Sequence, residues 1–288
     1  MTDGNLEALK RGSRFISVVI PMFNECAGLE ELHQRLSPVL EKLATRYEII
    51  FVDDGSTDKS KETIKRIQSR NRWVRYIRFR RNFGKSAALA AGMKAARYEI
   101  VVTMDADLQD LPEELPLLLQ ELEEGNDLVS GWRHHRQDKL SRRLASKLYN
   151  GTTSLLTGVK LHDINCGFKA YRREVLDEVM IYGERHRYIP VLASYRGFEL
   201  GEVKIEHARR VSGNSRYGLE RVFGGIFSLL SVILMTRYTN KPLHFFGMIG
   251  AALFGMGVTI DLYLISDRIL FQHWLGNRPL FLIGTIFI

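Results

Sequence analysis

The feature that most constrains how this chain can fold is an uncharged apolar run near its C-terminal end. Residues 245–260 carry no charged side chain, and residues 262–265 continue the apolar run beyond Asp261. A helix of about 20 mainly apolar residues has the length that a bilayer core requires. We therefore predict a membrane-spanning helix here, in preference to a buried core helix of a soluble protein.

Two shorter apolar stretches flank this run. Residues 279–288 are too few to cross a bilayer, so we expect a second span of which only a part is present. Residues 222–236 lie between Arg221 and Arg237, a pattern typical of a helix in the membrane interface, with a core helix as the alternative. These boundaries predict a tail at 1–13, a large domain at 14–220, an interfacial segment at 221–241 and a transmembrane region at 242–288.

Charge predicts the orientation of the chain in the membrane. The segment 209–241 carries six basic residues and a single acid, and basic flanks stay in the cytoplasm. The first residues lack the apolar segment of a signal peptide, and two cysteines, Cys26 and Cys166, are too few for a disulfide framework. We therefore predict a cytoplasmic large domain tethered to the cell inner membrane. The formal net charge of +8 also indicates an anionic partner.

The first 210 residues alternate between strand and helix patterns. Short β-branched runs predict strands at 15–22, 47–52, 73–79 and 99–104. Apolar residues at helical spacing predict helices at 29–43, 60–68 and 87–96. Repeated strand–helix units predict an α/β fold, with a Rossmann-like, mainly parallel sheet covered on both faces. Ligands of such sheets bind beyond the carboxyl ends of the strands.

Polar residues follow three of these predicted strands. The most informative set is Asp105, Asp107 and Gln109, because side chains at alternate positions of an extended chain point the same way. Two crowded carboxylates repel each other unless a cation lies between them, and a hard divalent cation accepts such oxygen ligands. The pattern therefore predicts a divalent metal site. For Asp110 we favour a different role, as the first residue of a capping box that precedes Pro112.

An ordered series of motifs resembles the family-two glycosyltransferases of GT-A fold. These motifs are Pro21…Asn24-Glu25, Asp53-Asp54-Gly55-Ser56-Thr57-Asp58, Arg81-Asn82-Phe83-Gly84-Lys85 and Asp105-Ala106-Asp107-Leu108-Gln109-Asp110. Later motifs resemble the polyprenyl-phosphate branch of that family: Gly131-Trp132-Arg133, Arg142-Arg143…Ser146, Asp163…Gly167…Arg173, Glu184…Pro190 and Arg210…Tyr217. The resemblance covers residues 14–220. It implies inverting transfer of a hexose from a UDP-glucose-like or GDP-mannose-like nucleotide-sugar to a polyprenyl phosphate, with Mg²⁺ or Mn²⁺.

The resemblance also implies roles for individual residues. Metal ligands would be Asp105, Asp107 and Gln109. The catalytic residues would be Asp105, Asp107, Asp163, Arg133 and Arg142. The nucleotide would contact Pro21, Asn24, Glu25, Asp53, Asp54, Lys85, Asp105, Ala106, Asp107, Arg210 and Arg216. For Lys85, a position at the start of a helix suits a phosphate, although an exposed surface cation is the alternative.

The acceptor phosphate would be held by Arg133 and Arg142, together with Ser146, since arginine matches phosphate oxygens with two parallel hydrogen bonds. The role of Asp163 stays open between a general base and a positioning residue. A phosphate acceptor is already ionised near neutral pH, so its oxygen can attack without a base.

Two other classes of function compete with this one. A processive family-two synthase would carry a QxxRW-like signature, and no such run follows residue 190. A membrane-tethered anion-binding module would not need Asp105 and Asp107 together. Nucleic acid is not an expected partner, because aromatic residues are not interleaved with the basic stretch at 133–147. The glycine-rich apolar run could pack against a second copy, so a homo-oligomer is a further possibility.

Overall fold

The structure is a computed structural model that describes residues 14–133, 150–179, 185–208, 230–232, 234, 238, 241–271 and 279–287. The chain divides into two compact units, Met1–Val232 and Ile233–Ile288.

The first unit alternates strands and helices. Its strands are β1 (Phe15–Met22), β2 (Arg46–Asp53), β3 (Val74–Arg78), β4 (Ile100–Thr103), β5 (Leu128–Arg133), β6 (Lys169–Arg172) and β7 (Leu200–Ile205). Its helices are α1 (Leu29–Leu43), α2 (Ser60–Arg70), α3 (Lys85–Ala95), α4 (Leu115–Glu123), α5 (Arg173–Glu178) and α6 (Ile189–Tyr195). The four strands and three helices expected from the sequence are confirmed, with ends shifted by one or two residues.

The seven strands form one sheet in the order β3-β2-β1-β4-β6-β5-β7. The pairs β1–β2, β1–β4, β2–β3 and β5–β7 are parallel, whereas β6 runs antiparallel to both β4 and β5. The mainly parallel sheet is confirmed. Because β6 is reversed, its first residue, Lys169, lies opposite Thr103, the last residue of β4.

Apolar side chains cover both faces of the sheet. On one face, the buried leucines of α1, such as Leu32, Leu36 and Leu40, pack with Ile16 and Val18 of β1. On the other face, Ala88 and Leu89 of α3 pack with Val19, Val52 and Tyr171. The close approach of α3 to the sheet depends on Gly92, where a Cβ atom would collide with the Val19 side chain. The alternating pattern of β1 therefore places its apolar residues in two cores.

The second unit contains α7 (Pro242–Phe271) and α8 (Pro279–Phe287). In the described part of the chain, α7 is the one helix that is long and apolar enough to cross a membrane. It contains the predicted span at 245–265. Of the predicted interfacial segment, only 230–232, 234 and 238 are described, and 230–232 and 234 are helical. The interfacial placement of 222–236 stays a prediction.

Candidate active site

The loops that follow β1 and β2 are tied together by Asn24. Its Oδ1 atom accepts hydrogen bonds from the backbone N–H groups of Thr57 (2.9 Å) and Asp58 (3.3 Å). Its own N–H donates to Ser56 Oγ at 3.0 Å. Asn24 adopts φ 57°, a left-handed conformation that asparagine tolerates better than most residues. The carboxyl ends of β1 and β2 thus form one polar edge.

Asp53 and Asp54 hold neighbouring loops through hydrogen bonds. Asp53 is fully buried; its Oδ1 accepts the N–H of Ser56 at 2.7 Å and its Oδ2 accepts the hydroxyl of Tyr76 at 2.6 Å. The Asp54 carboxylate accepts the N–H groups of Phe83 and Gly84 at 2.7 and 2.8 Å. These two acids therefore shape the loops around the predicted nucleotide site, and their direct contact with a nucleotide stays a prediction.

Lys85, the first residue of α3, forms an ion pair with Asp105. Its Nζ atom lies 2.5 and 2.7 Å from the two carboxylate oxygens, and about a third of each side chain is exposed. Burial by itself raises the pKa of Asp105, but the Lys85 ammonium outweighs it and holds that pKa below the ordinary value. Asp105 is therefore ionised, and the ion pair holds Lys85 beside the turn that carries Asp105.

The segment after β4 is a turn and not the extended chain that we predicted. Leu108 adopts φ 61° and buries its side chain, yet the alternation of burial is kept: Asp105, Asp107 and Gln109 are half-buried, whereas Ala106, Leu108 and Asp110 are buried. The Gln109 N–H donates to Asp107 Oδ1 at 3.3 Å, and its side-chain amide donates to the Ala208 carbonyl at 3.4 Å. The expected extended backbone is therefore wrong, whereas the convergence of Asp105, Asp107 and Gln109 on one metal ion stays a prediction.

The predicted capping role of Asp110 is also wrong. The 3₁₀ turn at Pro112–Glu114 begins after Leu111 and has no side-chain cap. Asp110 is buried, and its Oδ2 accepts the backbone N–H of Asp105 at 3.1 Å. Burial, and then the charge of Asp105, raise the pKa of Asp110 to about 7. Asp110 therefore stabilises the turn through its hydrogen bond with the backbone of Asp105.

The carboxylates of this turn fit a divalent cation. Within the described residues, no three His, Cys, Asp or Glu side chains are arranged to enclose a metal ion. Asp105 and Asp107 nevertheless offer hard oxygen donors, and Mg²⁺ is commonly bound by one or two carboxylates plus substrate phosphates. The raised pKa of Asp110 arises in part from the charges of Asp105 and Asp107, so Lys85 leaves the crowding of negative charge unrelieved. A divalent cation would relieve it.

A second ion pair joins Arg133, at the end of β5, to Asp163. The guanidinium donates to both carboxylate oxygens, with Nε–Oδ2 2.6 Å and Nη2–Oδ1 3.0 Å. The Asp163 side chain is 2% exposed, and its backbone N–H donates to Glu202 Oε1 at 3.0 Å. Both oxygens of the Asp163 carboxylate are thus bound to one guanidinium, which fixes the orientation of Arg133.

The other predicted site residues divide into two groups. Pro21 is buried in β1, Glu25 is half-buried in the loop that follows, and Ala106 is buried in the turn after β4. Arg142, Ser146, Arg210 and Arg216 lie outside the described residues.

Sequence reasoning missed two features of this site. Gly167 lies against Asp105, so closely that a Cβ atom there would be 2.8 Å from Asp105 Oδ1. Ser86 Oγ lies 2.5 Å from His186 Nδ1, and burial together with nearby cations lowers the pKa of His186 to about 2. Gly167 and His186 belong to motifs that carry the family resemblance, but the spacing of residues in the sequence does not indicate their contacts with Asp105 and Ser86.

The sheet order and the acidic turn after β4 define an α/β nucleotide-sugar transferase domain of GT-A type. The chain belongs to Glycosyl transferase family 2, whose family model matches residues 17–180. It is a glycosyltransferase, as the motifs predicted.

Two similar bacterial proteins come from the polyprenyl-phosphate branch. The dodecaprenyl-phosphate galacturonate synthase of Rhizobium johnstonii is 38% identical over 276 residues, covering 94% of this chain and 82% of the relative. The undecaprenyl-phosphate 4-deoxy-4-formamido-L-arabinose transferase of Pseudomonas fluorescens is 37% identical over 277 residues, covering 96% and 80%. The resemblance to this branch is confirmed.

Solved structures confirm the GT-A architecture. Glucosyl-3-phosphoglycerate synthase from Mycobacterium tuberculosis, in complex with Mn²⁺ and UDP-glucose, is 26% identical with a TM-score of 0.61. The match covers 82% of this chain and 83% of the synthase.

Proposed function

We propose that this protein transfers a hexose, with inversion, from a nucleotide-sugar to a polyprenyl phosphate at the cytoplasmic face of the inner membrane. The observation that carries this proposal is the pair of ion pairs at one edge of the sheet. Lys85–Asp105 and Arg133–Asp163 lie close enough that the charge of Arg133 helps to lower the pKa of Asp105. One pair suits a diphosphate with its metal, and the other suits a phosphate acceptor.

The donor is proposed to be a UDP-linked hexose, with a GDP-linked hexose as the next choice. The solved synthase binds UDP-glucose, which supports uridine. The names of the two relatives contain an acidic sugar and an uncharged one, so similarity by itself does not choose the sugar. The polar edge formed by Asn24, Asp53 and Asp54 would receive the base and ribose.

Asp105 and Asp107 would hold a Mg²⁺ or Mn²⁺ ion, and the solved synthase with Mn²⁺ supports this. Gln109 would join them only if its amide left the Ala208 carbonyl. When bound, the ion supplies neutralisation of the charge that develops on the departing diphosphate. Lys85 would then leave Asp105 and contact a phosphate oxygen.

The acceptor would enter on the Arg133 side. A guanidinium oriented by Asp163 binds two phosphate oxygens in a fixed geometry. An acceptor oxygen forms the new bond to C1 of the hexose while the bond from C1 to the diphosphate oxygen breaks. The nucleoside diphosphate leaves from the opposite face, which gives inversion. Because the acceptor is already anionic, this step needs no general base.

The membrane assignment rests on α7, whose length and composition suit a bilayer span. The long chain of a polyprenyl phosphate stays in the bilayer, so a tethered enzyme meets its acceptor at the membrane surface. The basic residues that precede α7 favour the cytoplasmic face.

The test uses the full chain in lipid nanodiscs. Release of nucleotide from UDP- and GDP-hexoses is measured with and without undecaprenyl phosphate, and the lipid product is identified by mass spectrometry. We expect release that depends on the lipid, and a product of one hexose per lipid phosphate. Polymer formation, or release that is indifferent to the lipid, would contradict the proposal. The variant Asp105→Asn should lose this lipid-dependent release. Its control is Glu124→Gln, which neutralises an exposed acid after α4 and should leave the release unchanged.

A further inference from the structure

A small polar cavity lies next to the Lys85–Asp105 ion pair. It contains about 20 Å³ of free volume, which is room for a water molecule or one small polar group and not for a sugar ring. The residues that line it include Lys85, Thr103, Asn165, Lys169, His186 and Arg187. It therefore matches a substituent of a ligand rather than a whole ligand.

The charged residues that line this cavity are all positive, and the Asp105 carboxylate lies against two of its lining residues, Lys85 and Gly167. Lys85, Lys169 and Arg187 are among its lining residues, and no carboxylate is. His186 adds no negative charge, and its pKa is lowered by Lys85, Arg187 and Lys169 after the larger effect of burial. Cations outnumber carboxylates among the residues that line the cavity, so it is electrostatically suited to a negative group.

Lys169 is the most unusual member of this group. Its side chain is buried, and its ammonium donates to the backbone carbonyls of Ile164 and Cys166. In the described part of the chain it makes no ion pair with a carboxylate. Burial lowers its pKa, and the charges of Arg133 and Lys85 lower it further. A buried ammonium is costly unless it is paired, so an anionic ligand would stabilise this arrangement.

The cavity lies on the β6 side of the turn that follows β4. The proposed nucleotide edge lies at β1 and β2, whereas Lys169 begins β6, on the opposite side of β4. A donor that extends from the β1–β2 edge across Asp105 would therefore bring its sugar to the cavity. Asn165 Oδ1 is buried there without a hydrogen-bond partner and can accept a sugar hydroxyl.

We propose that the donor sugar is a hexuronate, and that its carboxylate enters this cavity and pairs with Lys169 and Arg187. This inference rests on the proposed function, because it names the class of sugar that the same site takes. A diphosphate is also anionic and could occupy the same cations. The experiment therefore compares UDP alone, UDP-hexoses and UDP-hexuronates.

The dissociation constants of UDP, UDP-galactose, UDP-glucose, UDP-galacturonate and UDP-glucuronate are measured by calorimetry on the full chain in detergent, with Mn²⁺ present. The variants are Lys169→Met, which keeps the length of the side chain without its charge, and Arg187→Gln. The control is Lys94→Met, an exposed lysine at the far end of α3. Thermal unfolding and binding of UDP verify that each variant is folded.

We expect the wild type and Lys94→Met to bind at least one of the two hexuronates about tenfold more tightly than the matching hexose, a difference of about 1.4 kcal/mol. Lys169→Met should lose this preference while its affinity for UDP changes less than about threefold. Arg187→Gln should lose part of it.

Three outcomes would overturn the inference. One is a wild type that binds hexoses as tightly as hexuronates. Another is a uniform loss of affinity for UDP, hexoses and hexuronates in Lys169→Met, which would assign the lysine to the diphosphate. The third applies if Lys169→Met does not fold. In that case, an unchanged preference for hexuronates in Arg187→Gln would overturn the inference.

The lipid assay separates this inference from the proposed function. Transfer of a neutral hexose, but not of a hexuronate, to undecaprenyl phosphate would leave the proposed function intact and overturn the hexuronate assignment. Selective binding of a hexuronate without any lipid product would overturn the proposed function and leave the hexuronate assignment intact.

Discussion

The carboxyl edge of the sheet has two halves that use the same residue types differently. In the first half, at the ends of β1 and β2, Asp53 and Asp54 accept hydrogen bonds from backbone N–H groups and a tyrosine hydroxyl. In the second half, around β4, β5 and β6, Asp105 and Asp163 pair with the cations Lys85 and Arg133. The first half is held mainly by hydrogen bonds, although Asp53 also lies 3.4 Å from Arg78 Nε, whereas the second half is held by ion pairs between side chains.

This difference indicates where binding energy can be converted into chemistry. Hydrogen bonds to backbone amides hold loops whether or not a ligand is present, so they pre-organise a pocket. Ion pairs between side chains must rearrange when a metal or phosphate arrives, because each new ligand replaces a partner. Substitutions in the second half should therefore reduce turnover or acceptor binding, and those in the first half should reduce donor binding and stability.

The largest effect is expected at the metal turn. Asp107→Ala and Asp105→Asn should each reduce transfer by about 1,000-fold or more, because the charge of the departing diphosphate is left uncompensated in a partly dry site. Excess EDTA should reproduce the loss in the wild type, and Mn²⁺ should restore it. The measurement is the initial rate of lipid glycosylation. Full activity in excess EDTA would contradict the metal assignment and, with it, the distinction between the two halves.

The next effect concerns Arg133 and Asp163. Arg133→Ala and Asp163→Ala should each raise the apparent KM for lipid phosphate by about 100-fold, or about 2.7 kcal/mol, with little change for the nucleotide-sugar, since the acceptor loses the two parallel hydrogen bonds of an oriented guanidinium. The double variant should be no worse than either single variant. Steady-state kinetics on all three provide the test. A collapse of kcat in Asp163→Ala, with KM for the lipid unchanged, would instead identify a general base.

A smaller effect is expected in the first half, at Gly55. Its φ is +78°, and a Cβ atom there would lie 2.5 Å from the backbone carbon of Arg81. Gly55→Ala should therefore destabilise the loop that follows Asp54 by about 1–3 kcal/mol and weaken UDP binding in proportion. Gly125→Ala also has a positive φ but meets nothing within 4 Å, so it separates backbone strain from collision. Calorimetry with UDP and thermal unfolding give the two readouts. Equal effects of both variants would show that the contact with Arg81 does not matter.

The smallest effect concerns His186. Because its folded-state pKa is about 2, the unfolded chain binds a proton below pH 6.5 that the folded chain does not, so acid destabilises the folded state. Between pH 7 and pH 5 this should lower the apparent Tm of the wild type by about 3 °C more than that of His186→Asn. A bell-shaped rate profile whose acid limb disappears in His186→Asn would show instead that this residue is charged during turnover.

Much of the fold follows from local patterns. The β-branched runs and helical spacing of the first 104 residues predict four strands and three helices, because each pattern is specified by neighbours in the chain. The reversed strand β6 was not predicted, because its direction depends on pairing with β4 and β5 across more than 30 residues.

The site shows the same division. The sequence identified Asp105, Arg133 and Asp163, because paired acids after a strand and arginines in a basic stretch are chemically informative by themselves. It did not predict that Asp163 forms an ion pair with Arg133 or that Asp110 accepts a hydrogen bond from the backbone of Asp105. It also did not predict that Lys169 is buried and lines the same cavity as Lys85.

By itself the sequence therefore determined the kind of fold, the family and the residues that carry charge. Only the tertiary structure decided which charges are paired, which are crowded and which are buried. The physical reason is that strand and helix patterns are set by residues a few positions apart, whereas electrostatic interactions depend on distances between side chains far apart in the chain. Asp163 is an example: its carboxylate pairs with the guanidinium of Arg133, which lies 30 residues earlier in the chain.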